Sequence, residues 1–318
     1  MKYTKDIIEK IWNMKTAGYS SRAIAQSLGI SKSGVNDLFQ RNSVYPELQY
    51  DPCEVAFRND GPRILIFDTE TAAATALTFG RFKVNLSQDN ILDNGGWILC
   101  ASWRWLGSNV KESIYLTPKE VQAKDDSRIV AKLFELYEDA DAVLAHNSLG
   151  FDHKVVQARA IFNNFPPLPQ VKVLDTLQLA RKYLKLPSNR LDAIGEFFGL
   201  GRKVSTGGIS LWRKVQEGDV QAMKDMVTYC EQDVDLLYDI YLRTRQLGRA
   251  GSDFNAALYY DDDQTRCRVC GSADVEPTGR NVTTSVSIFA ELRCNDCGAV
   301  HRTRTTVASK EKRKSLIV

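Results

Sequence analysis

RILIFDTET, residues 63–71, is the stretch whose reading decides the fold. Its first half, Ile64 to Phe67, is a continuous apolar run suited to a central strand buried on both faces. Its second half turns acidic, with Asp68 closing the run and Glu70 two residues on. Side chains at i and i+2 of an extended chain share one face, so both carboxylates can meet the same ion. A buried carboxylate cluster repels itself and needs a cation to hold it together.

Outward from this strand, residues 63–247 alternate strand and helix. WILCASWRWL (97–106) and ESIYL (112–116) read as the second and third strands, AVLAH (142–146) as a fourth and VKVLD (171–175) as a fifth. Helices are expected over 126–137, from near Gly150, over 176–184 and 190–198, and over a long final stretch, 219–245. A three-stranded meander followed by alternating helix and strand predicts an α/β fold, a mixed five-stranded sheet flanked by helices.

Further acids fall where they can join the first two. Asp152, in HNSLGFD (146–152), belongs to the first turn of the helix after the fourth strand, beside Asn147 and Phe151. Tyr229 and Asp233, in YCEQD, are i and i+4 on the last helix and point the same way. Glu231 and Asp235 fall on the opposite face and read as solvated charge, and Asp225, one turn before Tyr229, is a decoy. Phe151 reads equally as core packing or as a contact for a base or sugar. His146 reads as a structural hydrogen-bonding residue at a strand end, and His153 as exposed. Two divalent cations about 3.5–4 Å apart would neutralise Asp68, Glu70, Asp152 and Asp233 and could cut a phosphodiester. Oxygen donors point to Mg²⁺, with Mn²⁺ able to replace it.

The flanks differ from the centre. The chain of 318 residues has 43% hydrophobic and 25% charged residues, ordinary for a soluble globular protein of two or three domains. No run approaches a membrane span, and the start lacks a secretory-type apolar stretch, so an intracellular, cytoplasmic protein is expected. Net charge is +4 over 1–43 and +5 over 264–318 against −6 between them, which suits basic modules holding a polyanion around a metal-binding centre.

Residues 4–41 predict three short helices, with Ile7, Ile8, Ile11 and Trp12 on the first, Ile24, Ala25 and Leu28 on the second, and Val35 and Leu38 on the third. Gly29 supplies the left-handed turn. The pattern resembles a helix-turn-helix over 1–43, a small protein-binding bundle being the alternative; DNA would meet Lys32, Ser33, Asn36, Gln40 and Arg41 on the third helix. Residues 44–60 read as a linker. Cys53, Cys100 and Cys230 stand alone, whereas Cys267-x2-Cys270 and Cys294-x2-Cys297 have the spacing of a structural four-thiolate Zn²⁺ site. VTTSVSIFAELRC and AVHRTRTTV around the second pair read as two strands, so 264–307 is similar to a zinc ribbon. Its Arg293, Arg302 and Arg304 could face phosphates, and His301 is a stray ligand candidate. The tail, 308–318, reads as basic and disordered.

The acidic motifs carry a wider resemblance. DTE, HNSLGFD and YCEQD resemble the three exonuclease motifs of the DEDD (DnaQ-like) 3′–5′ exonucleases in their tyrosine-containing form, which have a ribonuclease H-like fold. The likeness continues through FNNFPPLPQVKVLDTLQLARKYLKLPSNRLDAIGEFFGLG and TGGISLW, covering nearly all of a domain over 61–250. It is greatest to stand-alone exonucleases of bacteria and tailed bacteriophages related to family-B polymerase proofreading domains. The resemblance implies that Asp68 bridges two Mg²⁺ ions, that Glu70 and Asp233 complete the first site and Asp152 the second, and that Tyr229 orients the attacking water. It also implies that Asn147 and Phe151 bind the terminal nucleotide. DNA is the expected polymer, with RNA, internal cleavage, or a DNA-binding regulator without activity as alternatives.

Overall fold

The computed structural model describes residues 7, 10, 11, 13, 14, 21–30, 35, 61–80, 82–200, 208–248 and 254–317. Two compact units divide the chain, 1–51 and 52–318. In the first, helix α1 (Ser21–Leu28) buries Ile24 and Ala25 against Ile11 and Val35, with Ile7, Met14, Leu28 and Ile30 packed around them. Gly29, at φ +65°, ends the helix, and the Ile30 N–H donates to the Ala25 carbonyl at 3.0 Å. The expected DNA-facing residues Lys32, Ser33, Asn36, Gln40 and Arg41 lie outside the described residues, as do Cys53 and the linker.

The second unit is built on a five-stranded sheet in the order β5-β4-β1-β6-β7. Here β1 is Ile64–Thr71, β4 Ile98–Trp105, β5 Lys111–Tyr115, β6 Ala142–Ala145 and β7 Lys172–Asp175; a two-stranded pair, β2 (Thr75–Ala76) and β3 (Ile91–Asp93), follows β1. β1 pairs antiparallel with β4 and parallel with β6, so the apolar run of 64–67 lies at the sheet centre. The β1–β6 ladder ends at Ile66, which leaves Asp68 to Glu70 beyond it.

Helices cover both faces. α3 (Ser127–Glu138) packs against β4 and α4 (Asp152–Phe162), and its Tyr137 meets Phe67 edge-on. α8 (Val220–Thr244) lies across β4 and β1, and Cys230 from it reaches Asp68. Phe67 and Asp68 are neighbours on a strand and therefore point to opposite faces, which puts α3 and α8 on opposite sides. α2 (Pro118–Ala123) starts at a Thr117 cap with Glu120 reaching back to the Thr117 N–H at 2.6 Å. α5 (Thr176–Tyr183), α6 (Leu191–Phe197) and α7 (Ile209–Gln216) all contact α8. Asp126 is fully buried before α3; its carboxylate accepts from the Ile98 N–H at 2.9 Å and from Arg159 at 2.6 and 2.7 Å, tying β4 to α4. No described helix is long and apolar enough to cross a membrane.

The C-terminal sheet has the order β10-β9-β8, from β8 (Val275–Thr283), β9 (Ile288–Cys294) and β10 (Val300–Thr306). Three strands stand where two were expected. A turn at Thr284–Ser287 splits VTTSVSIFAELRC, with the Thr284 N–H donating to the Ser287 carbonyl at 2.8 Å. β8 escaped notice because Pro277 and Gly279 break its pattern; both are tolerated on an edge strand whose register shifts between Pro277 and Asn281. The tail also differs from expectation: Lys310–Lys314 form α9, capped by Ser309, which accepts from the Lys312 N–H at 3.1 Å.

Candidate active site and thiolate cluster

Asp68 and Glu70 leave β1 on the face covered by α8, and Asp233 comes down from α8 to meet them. One carboxylate oxygen from each of the three lies within 4.8 Å of the others. Asp233 is buried and the other two are half-buried. The cluster's donors are all carboxylate oxygens, the set that hard divalent cations take. The Asp219 side chain starts α8 by accepting from the Gln221 and Ala222 N–H groups at 2.8 and 3.0 Å. From there Met226, Cys230, Asp233, Val234 and Leu237 fall on the buried stripe.

Cys230 was read as a lone buried thiol, yet its sulfur lies 3.4 Å from the Asp68 carbonyl and 3.5 Å from Asp68 Oδ2. Burial, then the neighbouring Cys100 and the acids, push this thiol well above its usual range, so it stays protonated and donates. Only the fold could reveal that contact. Tyr229, one residue earlier, meets Trp212 of α7 edge-on at 6.3 Å. α7 is itself clamped to the chain leaving β1: Gln216 accepts from the Ala73 N–H and donates to its carbonyl, both at 3.0 Å.

Asp152 stands outside the three-carboxylate group. It opens α4, and Thr69 Oγ1 donates to it at 2.9 Å. Only 2% exposed, it is raised to about 6 by burial, against the partial relief of the Thr69 hydroxyl. The loop before it is fixed by Asp175, which accepts from the Asn147 N–H at 3.0 Å and the Leu149 N–H at 3.2 Å. Asp175 also caps α5. Its position between VKVL and a helical run was the available signal for this role.

Asn147 adopts φ +67°, and a Cβ on Gly150 would sit 2.5 Å from Asn147 Oδ1, so glycine permits the tight loop. Asn147 and Phe151 are both exposed, Phe151 at 41%, which removes core packing as the account of the phenylalanine. His146 is structural: Nε2 donates to the Asn189 carbonyl at 3.0 Å, and Nδ1 pairs with Thr176 Oγ1 at 2.8 Å. His153 is not exposed as expected. It stacks on Tyr137, with Nδ1 3.2 Å from the phenol oxygen, and burial lowers its affinity for a proton.

Two acids read as solvated charge are also engaged. Glu231 accepts from Ser113 Oγ at 2.7 Å, and Asp235 pairs with Arg104 at 3.0 Å and with Lys111. The antiparallel β4–β5 edge extends under α8 and meets this face. Asp225 is exposed and accepts from Gln221, in keeping with a decoy.

The cysteines form a second cluster. Sulfurs of Cys267, Cys270, Cys294 and Cys297 lie within 4.8 Å of one another, with Cys267 to Cys297 at 3.5 Å and Cys270 to Cys294 at 3.6 Å. A tetrahedral site with Zn–S bonds of about 2.3 Å has sulfurs about 3.8 Å apart, so the set fits zinc. Hydrogen bonds from Cys270, Cys294 and Cys297 hold the Cys267 thiol far below its usual range. His301 Nε2 lies 3.1 Å from Cys267 Sγ, beside the four sulfurs. Gly298, at φ +69°, lets this knuckle lie against Gln246 at the end of α8; a Cβ there would meet the Gln246 side chain at 2.6 Å.

Residues 94–244 match the family model of the RNase_H superfamily. The matched span includes Asp152, Tyr229 and Asp233 but begins after Asp68 and Glu70. With the sheet order above, the fold is RNase H-like α/β. No curated protein sequence matches the chain. Among solved structures the chain is similar to the family B DNA polymerase from the hyperthermophilic archaeon Pyrobaculum calidifontis, at 15% identity and a TM-score of 0.43. That similarity covers 58% of this chain and 25% of the polymerase, so it spans only a quarter of that protein.

Proposed function

We propose that this chain is a divalent-cation-dependent 3′–5′ exonuclease of the tyrosine-containing DEDD type, acting on DNA with a single-stranded 3′ end. The observation that carries the reading is the meeting of Asp68, Glu70 and Asp233 within 4.8 Å, from a strand end and a helix more than 160 residues later. Asp68, Glu70, Asp233 and Asp152 would hold two Mg²⁺ or Mn²⁺ ions, which when bound lower the pKa of water and offset charge on the phosphate. Asp152, beside Thr69 at the start of α4, would supply the fourth carboxylate.

Tyr229 orients the attacking water through its hydroxyl, with its ring held by Trp212. Exposed Asn147 and Phe151 bind the terminal nucleotide, the amide by hydrogen bonds and the ring by stacking, on a loop that Asp175 keeps in place. Cys230 positions Asp68. The thiolate cluster holds one structural Zn²⁺ and shapes the ribbon. A helix-turn-helix in 1–43 adds duplex DNA contacts through Lys32, Ser33, Asn36, Gln40 and Arg41.

The test is incubation of 5′-labelled single-stranded DNA, duplex DNA and RNA with Mg²⁺. A ladder shortening from the 3′ end of DNA, absent for Asp68→Ala, is expected. Equal degradation by wild type and Asp68→Ala would show that the acids have been assigned wrongly, and a ladder on RNA alone would overturn the polymer.

A further inference from the structure

The C-terminal sheet borders a groove of about 1350 Å³ that shares no residue with the carboxylate cluster. One wall is the β9–β10 sheet, with Phe289, Arg302 and Arg304; the other is the first cysteine pair and the residue before it, with Arg268 and Arg266. Four arginines line it, and no aspartate or glutamate does among the described residues. The wall belongs to a basic stretch, with ten Lys/Arg against five Asp/Glu over 264–318. It concentrates positive potential where a polyanion can lie.

The arginines are not equivalent. Arg266 is committed to structure, since it pairs with Asp262 and stacks on Tyr260 at 4.0 Å. Arg302 and Arg304 are exposed on the edge strand β10, two residues apart, and Arg302 lies flat over Phe289 at 4.0 Å. That stacking fixes the guanidinium plane while leaving its edge N–H groups for phosphate oxygens. Arg293, on the central strand β9, does not line the groove. The groove follows the whole of β10 and Val307 beyond it, which favours an extended polymer over a single nucleotide.

We propose that this groove is a second nucleic-acid site, in which Arg302 and Arg304 hold the phosphodiester backbone of a single strand. The proposal rests on the reading that the chain acts on nucleic acid, and it assigns the ribbon a task in holding substrate beyond its own folding.

The experiment is fluorescence anisotropy of a 5′-fluorescein 30-mer oligothymidylate with the full zinc-loaded chain, Ca²⁺ replacing Mg²⁺ to prevent cleavage, across a salt series. Each phosphate contact on a single strand contributes a slope of about 0.7 in log K against log salt. Arg302→Ala with Arg304→Ala should lower the slope by about 1.4 and raise Kd about tenfold at moderate salt. Arg302→Lys with Arg304→Lys should recover the salt slope but only part of the affinity, since lysine keeps the charge without the stacked fork, and Arg293→Ala should match wild type. Unchanged slope and Kd in the double alanine variant would overturn the proposal. So would a lysine pair whose salt slope stays as low as that of the double alanine variant with zinc retained, or a wild type that binds no strand. Asp233→Asn separates the two readings, since it should stop cleavage while the loss of affinity caused by the double alanine change keeps the same size in its background.

Discussion

Replacing Asp152 by asparagine removes a carboxyl that the fold buries almost completely and holds near a pKa of about 6, against an ordinary 3.8. A carboxyl with a raised folded-state pKa stabilises the protein below its unfolded value, and that contribution is lost as pH rises through the folded value. In the cation-free protein the loss therefore runs from about pH 4 to about pH 7. At about 1.4 kcal/mol per tenfold change in proton affinity, the gap between 3.8 and about 6 amounts to about 3 kcal/mol. Asparagine keeps an oxygen to accept from Thr69 and has no proton to lose, so Asp152→Asn lacks this slope. Its amide also needs an acceptor, so the test lies in the pH dependence and not in the absolute stability.

The assay is urea unfolding of both proteins in Mg²⁺-free, zinc-containing buffer at steps between pH 4.5 and 8. The stability difference, variant minus wild type, should rise by about 2 kcal/mol over that range, the rest of the loss falling below pH 4.5. Adding Mg²⁺ at pH 7.5 should then stabilise wild type more than the variant, because Asp152 would help hold the ion. Thr69→Val, which removes the hydroxyl that draws the Asp152 pKa down, should move the wild-type slope to higher pH. Parallel curves for wild type and Asp152→Asn would refute the claim that this carboxyl is buried at a charge cost, and with it the placing of Asp152 in a cation site.

Other outcomes follow from the same contacts. Asp233→Asn should lower kcat by about three orders of magnitude or more, while Tyr229→Phe leaves measurable activity, both read from single-turnover cleavage. Cys297→Ser should lose zinc by metal analysis and melt the 264–307 sheet by circular dichroism, with wild type doing the same under a strong zinc chelator. Asp126→Ala strands the 15%-exposed Arg159 side chain beside a vacated pocket and should cost about 3–5 kcal/mol in urea unfolding. Asp175→Ala frees the 146–151 loop, so KM for a 3′ end should rise several-fold with a smaller change in kcat.

Much of the central domain was legible because its signals are local. The run of 64–67 must be buried, the apolar spacing of 219–245 must be a helix, and two CxxC pairs 23 residues apart suit zinc. The edge strand β8 was not legible, since Pro277 and Gly279 erase the alternation that marks a strand. His153, Glu231 and Asp235 were misread for one reason: each is polar and looks solvated until a neighbour from a distant segment, Tyr137, Ser113 or Arg104, is brought against it. Cys230 beside Asp68 and Asp175 beneath the 146–151 loop depend on long-range contacts in the same way.

Periodicity and residue type were enough to place Asp68 with Glu70 on one strand face and Tyr229 with Asp233 on one helix face, because the geometry of a single element sets both relations. Whether those two faces meet was decided only by the packing of α8 across β1, which depends on a core gathered from the whole unit. The same packing brought Asp152 against Thr69, the residue between Asp68 and Glu70. Strand alternation puts Thr69 opposite its acidic neighbours, and no local pattern says which helix will cover that side.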